Sequence, residues 1–289
     1  MKFLVIGNNG QVATSLFNLS GKNTEVIRLG RPDIDLLEPK DFAKIFLSFA
    51  PDVIINPAAY TAVDKAEDEP HNAFAINTEG AGAVAAAAES IGVPCIHIST
   101  DYVFDGSSQT PIGETSPTNP LGIYGKSKLA GEEKVMSCTD NYVILRTAWV
   151  YSLFGTNFFL SMLRLSKEYG EISVVCDQFG TPTSASQIAI AVIQIARNLV
   201  NNSDNSLRGI FHMTANGGPV SWADFAEYIF LVSTELGGNS CKVRRISTNQ
   251  YPTKARRPAY SFLDCSKLEK IHNVRISSWK EGVRNIFIK

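Results

Sequence analysis

A chain of 289 residues is long enough for one large domain or two modest ones, and 44% hydrophobic with 19% charged side chains is the balance of a globular protein. The formal net charge is -1 with no basic run to track phosphates, which argues against nucleic acid as a partner. The apolar run from Phe3 to Ile6 ends in glycine and is too short for a signal peptide or a membrane span, so a cytoplasmic location is expected.

Cys95, Cys138, Cys176, Cys241 and Cys265 are widely spaced with no C-x-x-C pair, so free thiols are expected rather than disulfides or a zinc site. His71, His97, His212 and His272 are equally scattered. His97 and His212 lie inside apolar strand-like runs, where a hydrogen-bonded structural role is the better reading than metal ligation.

In chain order, Lys2 to Ile6 reads as a buried strand, followed by Gly7-x-x-Gly10-x-x-Ala13 and a helix with Val12, Leu16 and Leu19 at helical spacing. Strand, glycine turn and helix is the context of a dinucleotide fingerprint: the glycines let the backbone turn and approach a pyrophosphate at the helix N-terminus. The second strand, Val26 to Leu29, ends where an acidic residue would hold an adenosine ribose in an NAD-specific protein. Here the residues are Arg28 and Arg31. An arginine at that place can stack on adenine and pair with a 2′-phosphate, which favours NADPH; the alternative is that both are merely solvated. Asp33 to Leu36 precedes a helix whose stripe Phe42, Ile45, Phe46 and Phe49 reads as core.

A third strand, Pro51 to Asn56, runs into Pro57-Ala58-Ala59-Tyr60-Thr61. Small residues at a strand's C-terminal end let a cofactor lie against backbone, so Ala59, Tyr60 and Thr61 are candidates for its nicotinamide-ribose side. Ala73 to Ile91 reads as one alanine-rich helix containing Asn77. The fourth strand, Cys95 to Ser99, then delivers Thr100 and Asp101 to the same sheet edge. Tyr102 leads into a loop running to Pro120 that reads as a cover over the site.

A helix beginning at Tyr124 places the Tyr124 phenol and the Lys128 ammonium a turn apart on one face. A cation beside a phenol lowers its pKa from about 10 and makes it a general acid or base near neutrality. Thr100 could polarise the same substrate oxygen; the plain alternative for Tyr124 and Lys128 is a surface pair. The next strand, Val143 to Thr147, is followed by Trp149, either a wall for a sugar or base or a core aromatic. Strands alternating with helices describe a doubly wound parallel sheet of Rossmann type, an α/β fold, over residues 1–150.

Residues 151–289 read as mainly a smaller C-terminal α/β substrate domain, with segments near 173–213 returning to the first. It contains helices over Asn157 to Glu168 and Ser186 to Leu199, strands over Ser173 to Cys176 and Gly209 to Met213, and capping boxes at Ser221 and Ser278. Arg256 and Arg257, fixed by neighbouring prolines, could serve a diphosphate or anchor a loop to the first domain.

Gly7-x-x-Gly10, Asn56-Pro57-Ala58-Ala59, Ser99-Thr100-Asp101 and Tyr124-x-x-x-Lys128, in that order, resemble the extended short-chain dehydrogenase/reductase superfamily. Whole phrases narrow the likeness: Thr61 to Glu67, STDYVFDG from Ser99, YGKSKLAGE from Tyr124, RTAWVY from Arg146, DQFGTPT from Asp177 and ARRP from Ala255. With these the chain is similar to the dTDP-4-dehydrorhamnose reductase family, which reduces a 4-keto sugar nucleotide with NADPH or NADH to make dTDP-L-rhamnose for bacterial surface polysaccharides.

The resemblance implies Tyr124 as proton donor, Lys128 holding the nicotinamide ribose and lowering the phenol pKa, and Thr100 steadying the carbonyl oxygen. It implies that Gly7, Gly10, Gln11 and Val12 line the pyrophosphate, Asp35 and Leu36 the adenine, and Ala58, Ala59, Tyr60 and Thr61 the middle of the cofactor. Thr100, Asp101, Tyr102, Tyr124 and Trp149 would meet the sugar. Some family members dimerise through a magnesium site built from glutamates; here Ser15 and Ser186 stand at two such places, so a monomer without Mg2+ is expected. Lys254 stands where the family often has proline, and Tyr260 and Phe262 replace more polar residues, so the substrate end is less closely matched. The alternatives are a 4-ketoreductase for another deoxysugar nucleotide and a non-catalytic regulatory relative.

Overall fold

Phe3 and Val5 of the first strand, Lys2–Ile6, join one apolar cluster and Leu4 and Ile6 another, and all four are buried. A strand buried on both faces needs helices on both sides of its sheet. A computed structural model of the protein, describing residues 1–288, has this arrangement. Its six-stranded sheet runs in the order Gly209–His212, Tyr142–Thr147, Cys95–Thr100, Val53–Asn56, Lys2–Ile6, Glu25–Leu29, every neighbouring pair parallel.

Helices Gln11–Phe17 and Ala185–Asn201 cover one face, bringing Leu16, Ile188, Val192 and Ile195 into the cluster of Phe3, Val5, Ile55 and Leu145. Helices Phe42–Phe49 and Ala81–Ser90 cover the other, where Phe42, Phe46 and Val84 join Leu4, Ile6 and Ile54. The expected Rossmann-type α/β fold is what forms. The second strand lies on one side of the first strand and the third on the other, so the loops leaving strands one and three part and open a crevice at the sheet's carboxyl edge.

Two elements differ from the sequence expectation. The first helix ends at Phe17, and Leu19 lies beyond it, 38% exposed, in turns closed by Leu19 N–H to the Leu16 carbonyl and Ser20 N–H to the Phe17 carbonyl. The alanine-rich helix begins earlier, at Pro70, and is interrupted by a π-helical stretch, Ala75–Gly80, before Ala81–Ser90 resumes. Such a widened turn re-aims side chains at functional places. Here it turns Asn77 Nδ2 to Ser127 Oγ at 2.9 Å and Thr78 Oγ1 to the Ser127 carbonyl at 2.9 Å.

In the second half, Glu171–Val175 pairs in parallel with Lys242–Ile246 in a sheet of its own, whereas Gly209–His212 enters the main sheet. Ser221 and Asp224 close the expected capping box ahead of helix Trp222–Glu235, Ser221 Oγ accepting from Asp224 N–H and Asp224 Oδ2 from Ser221 N–H. The loop before Pro120 is tied down. Ile112 N–H donates to the Phe262 carbonyl, Asp264 N–H to the Ile112 carbonyl, and His212 N–H to Glu114. Among the described residues no helix is long and apolar enough to cross a membrane.

Candidate active site

Gly7 follows the first strand with φ +114°, a conformation open to glycine and strained for other residues, and its N–H donates to the Leu29 carbonyl at 2.6 Å. Gly10 is the N-cap of the first helix with no side-chain cap, and a Cβ on it would meet open space. A bare helix start beside space that only glycine leaves free fits the pyrophosphate of the expected dinucleotide. Val12 is buried in the core beneath it. The Gln11 side chain turns away to the second half of the chain, accepting from Ser152 Oγ at 2.8 Å and Asn157 Nδ2 at 3.0 Å. Only the Gln11 backbone is therefore left for a cofactor.

At the end of the second strand Arg28 donates to the Asn8 carbonyl at 2.6 Å and lies over the Phe17 ring, 4.2 Å from its centroid. Its guanidinium thus braces the glycine loop. Arg31 is paired with Asp35, Nε to Oδ2 at 2.8 Å, and hydrogen bonds from the Leu37 N–H and from Arg31 hold the Asp35 carboxyl below the usual carboxylate range. Leu36, beside it, is half-buried against the apolar cluster of this face.

Asn56, at the end of the third strand, accepts from the Ala58 N–H through Oδ1 at 3.2 Å. Asn77 accepts from the Tyr60 N–H at 2.7 Å, so the π-helical turn sets the path of Ala59, Tyr60 and exposed Thr61. The Tyr60 hydroxyl donates to Glu69 at 2.9 Å.

Thr100 closes the fourth strand; its hydroxyl accepts from the Tyr102 N–H at 3.2 Å and donates to Asp101 Oδ1 at 3.1 Å. Helix Ile123–Cys138 packs so tightly here that a Cβ on Gly125 would come 2.2 Å from the Tyr102 carbonyl oxygen, which explains the glycine after Tyr124. The rings of Tyr102 and Tyr124 meet edge to face, centroids 5.4 Å apart. Asp101 is 2% exposed; burial pushes its carboxyl up to about 6 against hydrogen bonds from Ser261 and Thr100, and Oδ2 has no protein partner.

Tyr124 and Lys128 depart from the expected pairing. Lys128 is 1% exposed, and its Nζ donates to the Ile98 carbonyl at 2.7 Å and lies 3.0 Å from His97 Nε2. Tyr124 is half-buried by its surface yet crowded by protein, and that burial pushes the phenol up to about 12 rather than down, with the Thr100 hydroxyl opposing and Asp101 adding to the rise. Burial likewise draws Lys128 down to about 8, against the pull of Glu132. The expected lowering of the Tyr124 phenol by Lys128 is therefore corrected: the lysine is turned into the sheet, and a crowded neutral phenol keeps its proton. A protonated phenol is the form a proton donor must have.

Trp149 has φ +48° and lies flat on Trp222, so a second indole, missed in the sequence, backs the expected substrate wall. The capping box ahead of Trp222 located its helix but not its partner. Arg257 anchors its loop to the first half through Asp64, Nη2 to Oδ2 at 2.6 Å, while Arg256 is exposed. Ser15 is buried, and Ser186 Oγ lies 3.1 Å from Ser184 Oγ. Among the described residues no group of three or more His, Cys, Asp or Glu side chains is placed to hold a metal ion.

A family model described as RmlD substrate binding domain matches residues 1–289. A dTDP-4-dehydrorhamnose reductase of Sinorhizobium fredii is 49% identical over 286 residues, 99% of this chain and 96% of that protein. The crystal structure of a dTDP-4-dehydrorhamnose reductase from Clostridium acetobutylicum superposes with a TM-score of 0.91 at 40% identity, covering 100% of this chain and 99% of the other. The Bacillus anthracis dTDP-4-dehydrorhamnose reductase, solved in complex with NADP, also gives 0.91, at 33% identity over 99% and 98% of the two chains.

Proposed function

The chain belongs to the RmlD substrate binding domain family, and from that premise we infer that it is a dTDP-4-dehydrorhamnose reductase. It reduces dTDP-4-dehydro-β-L-rhamnose to dTDP-L-rhamnose with NADPH, NADH being a possible substitute, in the synthesis of a polysaccharide precursor. The observation carrying this reading is full-length likeness to enzymes of that activity, one with NADP bound, and the setting of the Tyr124 phenol beside the Thr100 hydroxyl supports it.

Bound NADPH supplies the hydride. The residues of this chain do the rest. Gly7, Gly10 and the first turn of the helix would hold the pyrophosphate; Asp35 and Leu36 the adenosine, with Arg28 near its 2′-phosphate; Ala58, Ala59, Tyr60, Thr61 and Lys128 the nicotinamide half. Tyr124 gives its proton to the C4 oxygen as negative charge develops there, and Thr100 steadies that oxygen. Asp101, Tyr102 and Trp149 hold the sugar in line. With serines at positions 15 and 186, the chain works as a monomer, in the cytoplasm.

The test is NADPH oxidation with dTDP-4-dehydrorhamnose beside other 4-keto sugar nucleotides, for wild type and Tyr124→Phe. Preferential turnover of the rhamnose precursor that Tyr124→Phe abolishes supports the reading. Preference for another sugar would make the protein a different 4-ketoreductase, and no turnover of any would make it a regulatory relative.

A further inference from the structure

Behind the Tyr124 face, three buried side chains form a hydrogen-bonded row whose polarity is fixed from one end. A backbone N–H can only donate, so the Ala58 N–H, 3.2 Å from Asn56, fixes Oδ1 as the atom facing it. The Asn56 amide nitrogen is thereby the atom that faces His97 Nδ1, at 3.3 Å. Nδ1 is then an acceptor, and a neutral imidazole carries its single proton on the other nitrogen, Nε2. Nε2 faces Lys128 Nζ at 3.0 Å, and Nζ has the Ile98 carbonyl as its other partner at 2.7 Å.

An ammonium has three donors and no lone pair, so opposite Nε2–H it would set donor against donor. A neutral amine accepts from Nε2–H and still donates to Ile98. Asn56 and His97 are 0% exposed and Lys128 1%, so no bulk water relieves a mismatched donor there. Nor does an imidazolium resolve the mismatch, because burial holds His97 well below the usual histidine range.

We propose that His97 is a positioning residue whose tautomer, fixed by Asn56, favours the neutral amine of Lys128 over its ammonium in the ligand-free site and so lowers the pH at which the lysine becomes a cation. The proposal deepens the reading above and rests on it for Lys128's part in the reaction, but not for the tautomer itself.

Other groups around Lys128 do not undo the effect. Glu132, one turn on in the same helix, favours the ammonium, but its carboxylate is engaged by Arg146 of the fifth strand at 2.6 Å and by Ser99 of the fourth. Tyr124, one turn back, and Asp101, from the loop after the fourth strand, act on one another. Glu79 of the π-helical turn is drawn outward by Lys134, at 3.1 Å. His97 and burial thus act together against the ammonium, and Glu132 acts for it. The weaker the lysine's hold on its proton, the less cation there is to stabilise a phenolate, which favours Tyr124 as a protonated acid.

Two nuclear magnetic resonance measurements test the proposal without turnover. In 15N-histidine-labelled full-length protein, ligand-free and with NADPH, the His97 signals are identified by their loss in His97→Gln. The expected pattern in the ligand-free protein is a protonated Nε2 beside an unprotonated Nδ1; an Nδ1–H tautomer or an imidazolium at neutral pH overturns the proposal. In 13C-lysine-labelled protein the Lys128 ε-carbon, identified through Lys128→Met, is titrated in wild type and His97→Gln. A glutamine oxygen can accept from an ammonium, so the variant's midpoint should rise by about one pH unit or more, a ~10-fold gain in proton affinity. An unchanged or lowered midpoint overturns the proposal. If His97→Gln does not fold, His97 is identified by elimination through variants of the other three histidines, and the wild-type tautomer alone decides. Failure of sugar reduction with the expected tautomer present would count against the function and leave this inference standing.

Discussion

The indoles of Trp149 and Trp222 lie face to face, ring centroids 3.5 Å apart and planes within 4°. Trp149 holds a left-handed backbone, φ +48°, that is unusual for a bulky residue. Trp222 is oriented in turn by Nε1–H to Gln178 Oε1 at 3.2 Å, and Gln178 Nε2 donates to Thr248 Oγ1 at 3.1 Å. The setting of Trp149 is thus built from four stretches of chain, around residues 149, 178, 222 and 248.

Removing the backing indole in Trp222→Ala should raise KM for the sugar nucleotide roughly two- to tenfold, the equivalent of ~0.5–1.5 kcal/mol of stacking. Steady-state kinetics should show kcat changed by less than about twofold. A variant with normal KM would mean that Trp149 needs no support.

Tyr124→Phe removes the proton but little volume, and kcat should fall by about 10²–10⁴ with NADPH affinity unchanged in a fluorescence titration. Because burial pushes the phenol up to about 12, wild-type reduction should show no loss through Tyr124 ionisation at any pH below about 10. An alkaline limb near pH 8 that disappears in a variant of Tyr124 would contradict this.

Asp101 couples stability to pH. Burial raises its carboxyl in the folded protein to about 6, above the ordinary value of 3.8, so the native state binds the extra proton. Its stabilising contribution is fully present below about pH 4 and is lost as pH rises through about 6, a change of ~3 kcal/mol. Relative to wild type, Asp101→Asn should therefore gain thermal stability at pH 8 and much less at pH 4, and the proposed sugar contact predicts a fall in turnover. Melting curves at the two pH values check this; equal gains at both would show that the carboxyl does not titrate in this window.

Glu132 and Arg146 form a buried ion pair, Oε2 to Nη2 at 2.6 Å with side chains 0% and 3% exposed. Glu132→Gln leaves a buried guanidinium whose Nη1 already lacks a protein partner. Breaking such a pair costs about 3–5 kcal/mol, to be read from urea unfolding midpoints. A loss under ~1 kcal/mol would mean that the pair's own desolvation had cancelled its attraction.

Arg28→Asp should weaken NADPH more than NADH, shown by the ratio of kcat/KM for the two cofactors. Because Arg28 also bonds the Asn8 carbonyl, some loss with both is expected. An unchanged ratio would remove the 2′-phosphate from its account.

The sequence by itself determined whatever depends on neighbours along the chain. The unbroken apolar run from Phe3 to Ile6, the glycines at 7 and 10, and the four-residue step from Tyr124 to Lys128 are local patterns, and sheet, crevice edge and helix followed from them. Only the tertiary structure decided what depends on groups brought together from afar. The π-helical turn over Ala75–Gly80 is invisible in an alanine-rich stretch because Ser127, on another helix, is what it reaches for. Trp222 behind Trp149, and His97 beneath Lys128, are likewise contacts between elements. Spacing put the phenol and the amine on one helical face, but burial and a carbonyl in the neighbouring strand chose where the amine points, because desolvation and hydrogen-bond partners belong to the packed protein and not to the order of its residues.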